Sequence, residues 1–384
     1  MTTTIKKHVT IPDRTLVNRG STKGILNTEH LESVRDYLRR LEERQQPIDF
    51  ERSLDQLLVD FTEGRLEACW MTPNGENAQV FRLTTNGANQ LSRDVLPSRF
   101  FSGLKQLACM DDRAEKLASL VWRKFASNRT DIRKVRTIRM RVDGDVHRVI
   151  RSCHSQGYAT YSNLQFVQDI LDNAGGFSNL PVLSWRVTDS GMRLRFAGID
   201  PATAAFAPLD PDILLTTPIP MIEGWNSETG RRRVVLRGGM WKLICTNGMG
   251  SWNDRSEYNW IHRGDPSRIR RGVEEAFLNI TTEANGVVEA YNEACNIDID
   301  DAYAWMLAEM PMSIPNRVVI AAKRALIDPT TTPGGTLASV VDALTLVAQE
   351  EEDIFAQYDI EREAAVLLKK GRAIALNNNG CIPA

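Results

Sequence analysis

An α+β fold is expected, with a β-rich centre of antiparallel hairpins between helical N- and C-terminal regions. Three observations point to it. Leu31, Val34, Leu38 and Leu41 repeat at helical spacing. Residues 135–152 alternate with period two around Asp143-Gly144, the strongest hairpin signal in the sequence. After Asp265-Pro266, an N-cap followed by a first-turn proline, the spacing is helical to the end. The chain therefore divides into a flexible arm (1–26), a mostly helical N-terminal region (27–130), a β-rich basic core (131–265) and a helical C-terminal region (266–384).

Residues 1–26 are polar, rich in Thr, Lys and Arg, and without periodicity, as expected of an arm. Asn27-Thr28 reads as the start of a helix that continues to Gln45. A second helix is expected near Ser53–Glu63, with Gly64 as its stop. Short strands fit residues 67–71 and 78–85, the latter closing on Asn86-Gly87. Residues 98–108 and 112–128 are helical, and Asp112 with Glu115 resembles a capping box. After the 135–152 hairpin, Ser162 with Gln165 opens a helix that ends at Gly175-Gly176. Strands at 183–188 and 192–199 are joined by Asp189-Ser190-Gly191. Five prolines make 201–220 an irregular connection, and residues 230–248 form a second basic β-rich stretch. The C-terminal helices break near Pro311–Pro315 and at 328–335.

With 384 residues, 42% hydrophobic and 25% charged, the composition is that of an ordinary globular protein that needs no staples. No run of eighteen apolar residues occurs, so no membrane span is expected, and the N-terminus lacks the apolar stretch of a secretory signal. The six cysteines are scattered, without a CxxC pair, which suits reduced core thiols in an intracellular compartment. The net charge of −2 argues against a uniformly basic nucleic-acid binder, but binding follows the local patch.

The sequence has no GxxxxGK[ST], HExxH, GxSxG or strand-borne GxGxxG, so no enzyme, cofactor or metal site is expected. Its five histidines have no metal-type spacing. Two segments are strongly basic. Residues 123–151 hold ten Arg or Lys against three Asp, among them Arg133, Lys134, Arg136, Arg139, Arg141, Arg148 and Arg151. By alternation Val135, Thr137, Arg139 and Arg141 share one strand face, and Arg148 joins them across the hairpin. Residues 231–271 also hold ten basic residues against three acidic ones. They include Arg231, Arg232, Arg233, Arg237, Lys242, Arg263, Arg268, Arg270 and Arg271, interleaved with Trp241, Trp252, Tyr258 and Trp260. Guanidinium forks suit phosphates, and aromatic faces accept any base, so the pattern fits single-strand binding by these residues with Trp252 and Trp260 as stacking platforms. Alternating arginines equally suit a solvated face paired to acids elsewhere, and Trp241, before Leu243-Ile244, suits a core.

Two stretches resemble the phage/plasmid-like protein family of unknown function. In the first, the matching positions are Arg136-Thr137, Arg148, Ser152, Tyr158 and Ser162-Asn163. In the second, the more specific, they are Asn226, Ser227, Glu228, Gly230, Trp241-Lys242, Cys245, Asn247, Gly248 and Met249. The chain departs from the family where Trp-Lys replaces an aromatic-Arg pair. It also looks like the Drc-type single-strand-binding transcription regulators of podoviruses that package a virion RNA polymerase. That resemblance implies a DNA-binding phage protein of the host cytoplasm. It would support middle transcription by a phage RNA polymerase, and also replication, as a homo-oligomer with a tetramer favoured.

One function is expected, with two alternatives to it. The expected one is a sequence-tolerant, non-catalytic binder of single-stranded DNA. The first alternative is a strand-annealing protein that uses the same arginine-rich hairpin. The second alternative is a DNA-processing enzyme built on Asn226, Ser227, Glu228 and Cys245.

Overall fold

The computed structural model describes residues 15–20, 29–62, 65–70, 79–173, 180–200, 205–206, 217–242, 247–250, 257–327, 335–351 and 353–383. It is an α+β protein with, among the described residues, two large sheets, two two-stranded ladders and helices at both ends of the chain. In order, the first elements are β1 (Thr15–Gly20), α1 (Leu31–Gln45), β2 (Ile48–Ser53), β3 (Leu57–Thr62), β4 (Arg65–Trp70) and β5 (Gln79–Leu83). There follow α2 (Thr85–Val95), α3 (Ser98–Ala108), α4 (Asp112–Ala126), β6 (Ile132–Val142) and β7 (Asp145–Ser155).

The first sheet runs β2-β6-β7-β5-β4-β3, antiparallel throughout except where β5 lies parallel to β7. Helices α2 to α4 cover one face around Phe61, Phe101 and Trp122. The β6–β7 turn places Asp143 and Gly144 at φ 53° and 95°, the left-handed pair that a two-residue hairpin turn needs.

The N-terminal part of the chain departs from expectation at the following places. Where a helix is expected near 53–63, residues Leu54–Gln56 form one 3-10 turn followed by β3. Leu57, Val59 and Phe61 alternate, and all three side chains are buried, so the period is two. Asn86-Gly87 is the first turn of α2, because the Thr84 hydroxyl caps the helix by accepting from Gly87 N at 3.0 Å. Thr15–Gly20, within the segment read as an arm, is the edge strand of the second sheet and pairs with residues 184–188.

That sheet is built from β1, β8 (Val182–Thr188), β9 (Met192–Ala197), β12 (Ile219–Asn226), β13 (Val234–Lys242) and β14 (Asn247–Gly250), in that order. β15 (Glu257–Trp260) also pairs with β13. A short ladder of β10 (Ile199–Asp200) and β11 (Ala205–Phe206) interrupts the expected irregular connection. One face packs on α1, α5 (Asn163–Asn173) and α6 (Ser267–Ala294) through residues such as Phe166, Leu194, Leu236 and Ile280. Gly238 lets α6 approach, since a Cβ there would meet Ala284 N at 2.7 Å and Ile280 O at 2.9 Å.

The opposite face packs on the last long helix. The C-terminal helices are α7 (Ala302–Glu309), α8 (Asn316–Ile327), α9 (Leu337–Gln349) and α10 (Ile354–Asn377). They share a core around Trp305, Leu344 and Leu368, with a two-residue parallel ladder of β16 (Asp298–Ile299) and β17 (Cys381–Ile382). Phe355 and Tyr358 of α10 pack on Trp225 and Val235. Every residue of β12 and β13 is therefore buried. No helix among the described residues is long and apolar enough to cross a membrane.

Candidate nucleic-acid interface

The two basic segments split into interior and surface groups. Four of the expected DNA contacts are interior: Arg136, Arg151, Arg237 and Lys242 are buried. This corrects their reading as DNA ligands. Each sits where helices or the second sheet close over the strand, and each has an acid beside it, as a buried cation requires. Arg136 lies 3.7 Å from Asp49, and Lys242 donates to Tyr291 Oη at 2.8 Å and to Asp342 at 3.1 Å. Arg237 donates through Nε to Glu223 at 2.6 Å. Arg193 and Arg195 of β9 join the same cluster, bridging Glu223 to Glu361 of α10. Burial alone would push the Glu223 carboxyl up, but the Arg237 and Arg195 guanidiniums outweigh it and hold it below the ordinary carboxylate range. Trp225, Trp241 and Tyr358 lie 4.4–5.7 Å from the three guanidiniums.

Arg151 belongs to a second buried network, centred on residues 226–230. Its Nη1 donates to Glu228 Oε2 at 2.6 Å, and Glu228 Oε1 accepts from Asn163 N at 2.6 Å. Asn226 donates to Tyr161 O and Asn163 Oδ1, and the Ser227 and Thr229 hydroxyls both donate to Ser190 O. The two sheets meet here, since Gln90 of α2 accepts from Cys153 N and donates to Thr229 O. Burial would raise the Glu228 carboxyl, but Arg151, Arg136 and the Asn163 N–H together lower it. Asn226, Ser227 and Glu228 thus all have protein partners. Cys245 lies outside the described residues.

A stack of His154, Tyr158 and His262 rings closes this junction, with centroids 3.7 and 5.1 Å apart. Burial holds His154 down to about 3 and His262 down to about 4, so both rings are neutral at pH 7. Gly230, at φ 65°, rests against the stack, where a Cβ would meet His154 Cε1 at 2.9 Å. Tyr158, Asn163, Asn226, Ser227, Glu228 and Gly230 therefore cluster in space as one structural joint.

The surface group contains the hairpin arginines. Arg139 and Arg141 are exposed, Arg148 is half-buried, and Arg139 and Arg148 are direct cross-strand partners. Gln46, at the end of α1, holds both: Arg139 donates to its side-chain oxygen at 3.0 Å and Arg148 to its carbonyl at 2.6 Å. None of the three arginines has a carboxylate partner among the described residues. Partial burial, then the neighbouring Arg139 charge, lowers the Arg148 guanidinium from its ordinary value. Arg133 is paired with Asp94 at 3.0 Å, and Lys134 points to Tyr158 O.

In the second segment Arg231 and Arg233 are exposed and Arg232 is half-buried. Arg232 pairs with Asp359 at 3.0 Å and Arg233 donates to Asn259 at 2.8 Å. Arg231 and Arg232 share a cleft with Arg93 of α2. Arg263, Arg268 and Arg271 are exposed without ion pairs among the described residues, whereas Arg270 is tied to Asp169 and Asp172. Trp260 is half-buried beside Tyr258, and Trp252 lies outside the described residues.

Sequence reasoning missed Arg93, Arg193, Arg195 and Glu361 as members of these clusters. For the buried pair in β9 a signal exists, because Arg193 and Arg195 alternate with Met192, Leu194 and Phe196 on a strand with no exposed residue. No group of three or more His, Cys, Asp or Glu that could hold a metal occurs among the described residues. No family model, curated protein or solved structure matches the chain.

Proposed function

We propose that the protein binds single-stranded DNA without sequence preference, through the outer end of the β6–β7 hairpin. One observation carries this reading: Arg139 and Arg148 lie side by side on Gln46 with no carboxylate partner among the described residues. Two like charges fixed in parallel repel each other, and an anion placed between them relieves that cost. A DNA phosphate fits the need, with Arg141 on the same face as a further contact. The exposed Arg263, Arg268 and Arg271 extend the basic surface at the start of α6. The role is non-catalytic, in support of transcription by a phage RNA polymerase and of replication, with the chain acting as a homo-oligomer, in line with the resemblance of the two motif stretches.

Fluorescence anisotropy with a labelled oligothymidine and a duplex of equal length tests the proposal. Single strands should bind more tightly, with an affinity that falls steeply as salt rises. Undetectable binding at low salt, or equal binding of the duplex, contradicts it.

A further inference from the structure

We propose that the outer face of the α3–α4 helix pair is a docking surface for an acidic, amphipathic helix of a partner protein. The pair buries Phe101, Leu104 and Trp122 against the first sheet, and its other side is apolar as well. Phe100, Met110, Leu117, Leu120 and Phe125 are between 46% and 61% exposed. One such residue is ordinary on a protein surface, but these form a strip. Phe100 of α3 touches Phe125 of α4, with ring centroids 5.7 Å apart. Leu117 and Leu120 lie one turn apart on α4, and Leu117 lies two turns before Phe125. On α3 and the turn after it, Phe100, Gly103, Leu107 and Met110 recur at spacings of three and four. Gly103 has open space where a side chain would stand. The strip therefore holds a notch between Phe100 and Leu107, the kind of gap that receives a side chain of another helix.

Charge selects the occupant. Arg99, Arg113, Lys116 and Lys124 border the strip, all four exposed and none in an ion pair among the described residues. Arg113 and Lys116 stand one turn before Leu117 and Leu120, and Lys124 one turn after Leu120. Arg123 is already held by Asp60. The acids of the two helices, Asp111, Asp112 and Glu115, all fall at the start of α4. An apolar centre with a basic border is the anatomy of a protein interface, and carboxylates flanking a partner's apolar face complement it. A second copy of the chain suits the face less, since a two-fold axis between Leu117 and Leu120 sets Arg113 against Lys124. Nucleic acid offers phosphates and flat bases, which suit aromatic rings better than Leu117, Leu120 and Met110. None of these residues belongs to the β6–β7 hairpin, so this surface and strand binding stand or fall separately.

Fluorescence anisotropy on the full chain tests the surface with two labelled peptides of about three heptads, one with Leu on a single helical face and Glu elsewhere, the other with Lys in place of Glu. The Glu peptide should bind with a Kd below about 100 μM, and the Lys peptide at least tenfold more weakly. Leu117→Ser/Leu120→Ser changes exposed residues and should keep the wild-type fold and oligothymidine affinity while weakening the Glu peptide at least tenfold. Lys116→Glu/Lys124→Glu should reverse the preference between the peptides. No binding of the Glu peptide at about 100 μM, equal binding of both peptides, or binding unchanged by either variant overturns the proposal. Three other losses in Leu117→Ser/Leu120→Ser would also overturn it. Lost self-association in sedimentation would give the face to a second copy, lost capture by phosphatidylserine vesicles to a membrane, and lost oligothymidine binding to the DNA strand.

Discussion

Arg151 Nη1 donates to Glu228 Oε2 at 2.6 Å, and this buried pair joins β7 of the first sheet to the turn after β12 in the second. The two residues lie 77 apart in the chain, so the pair forms only when both sheets are in place. Removing one partner strands the other charge in the interior. Arg151→Ala should cost about 3–5 kcal/mol in urea unfolding at pH 7. A loss below about 1 kcal/mol would show that the two sheets are held together by something else.

The histidine stack sets a pH dependence. His154 and His262 are held down to about 3 and about 4, below their ordinary 6.5, by burial first. A depressed folded value contributes stability that is full above the unfolded value and is lost as pH falls toward the folded one. The protein should therefore lose stability from about pH 6.5 to pH 4, with an upper limit near 1.4 kcal/mol per pH unit for each ring. Glu228, also depressed, adds to the loss below its ordinary 4.5. His154→Gln/His262→Gln should flatten the slope of stability against pH between 6.5 and 5. An unchanged slope would show that the rings are protonated in the folded protein.

Two glycines separate close packing from helix propensity. Gly238→Ala pushes a methyl into the backbone of α6 and should destabilise by about 1–3 kcal/mol. Gly286→Ala lies on the exposed side of the same helix with nothing within 4 Å, and should stabilise by roughly 0.5–1 kcal/mol. Thermal melts of the two variants should shift in opposite directions. A shared direction would contradict the approach of α6 to β13.

The sequence announces elements whose signals are local. Leu31, Val34 and Leu38 bury one face of α1, and Asp143-Gly144 turns the hairpin where expected. The placement of Arg139, Arg141 and Arg148 on one face follows from alternation and register alone. Where the reading fails, tertiary contacts decide. Arg237 is the only charged residue between Val234 and Trp241, and such a near-continuous apolar run marks a strand buried on both faces. Besides Glu223 it lies 3.9 Å from Glu361, over a hundred residues away in the chain, so no local pattern connects those two. The Arg93–Arg231–Arg232 cleft is likewise a product of two sheets meeting. Arg93 stands alone among polar neighbours on α2 and gives no signal by itself. The missed strand β3 differs, since its alternation was present in Leu57, Val59 and Phe61.

The hairpin site makes the account's central claim, and a salt titration of strand binding by Arg139→Ala/Arg148→Ala tests it most directly. Arg139 is exposed and Arg148 half-buried, so the variant should fold as the wild type does. Its affinity for single-stranded oligonucleotides should fall similarly for every sequence. The slope of log affinity against log salt should shrink by about 1.4, the loss of two phosphate contacts at about 0.7 each. A folded variant that binds with unchanged affinity and unchanged salt slope would contradict the account.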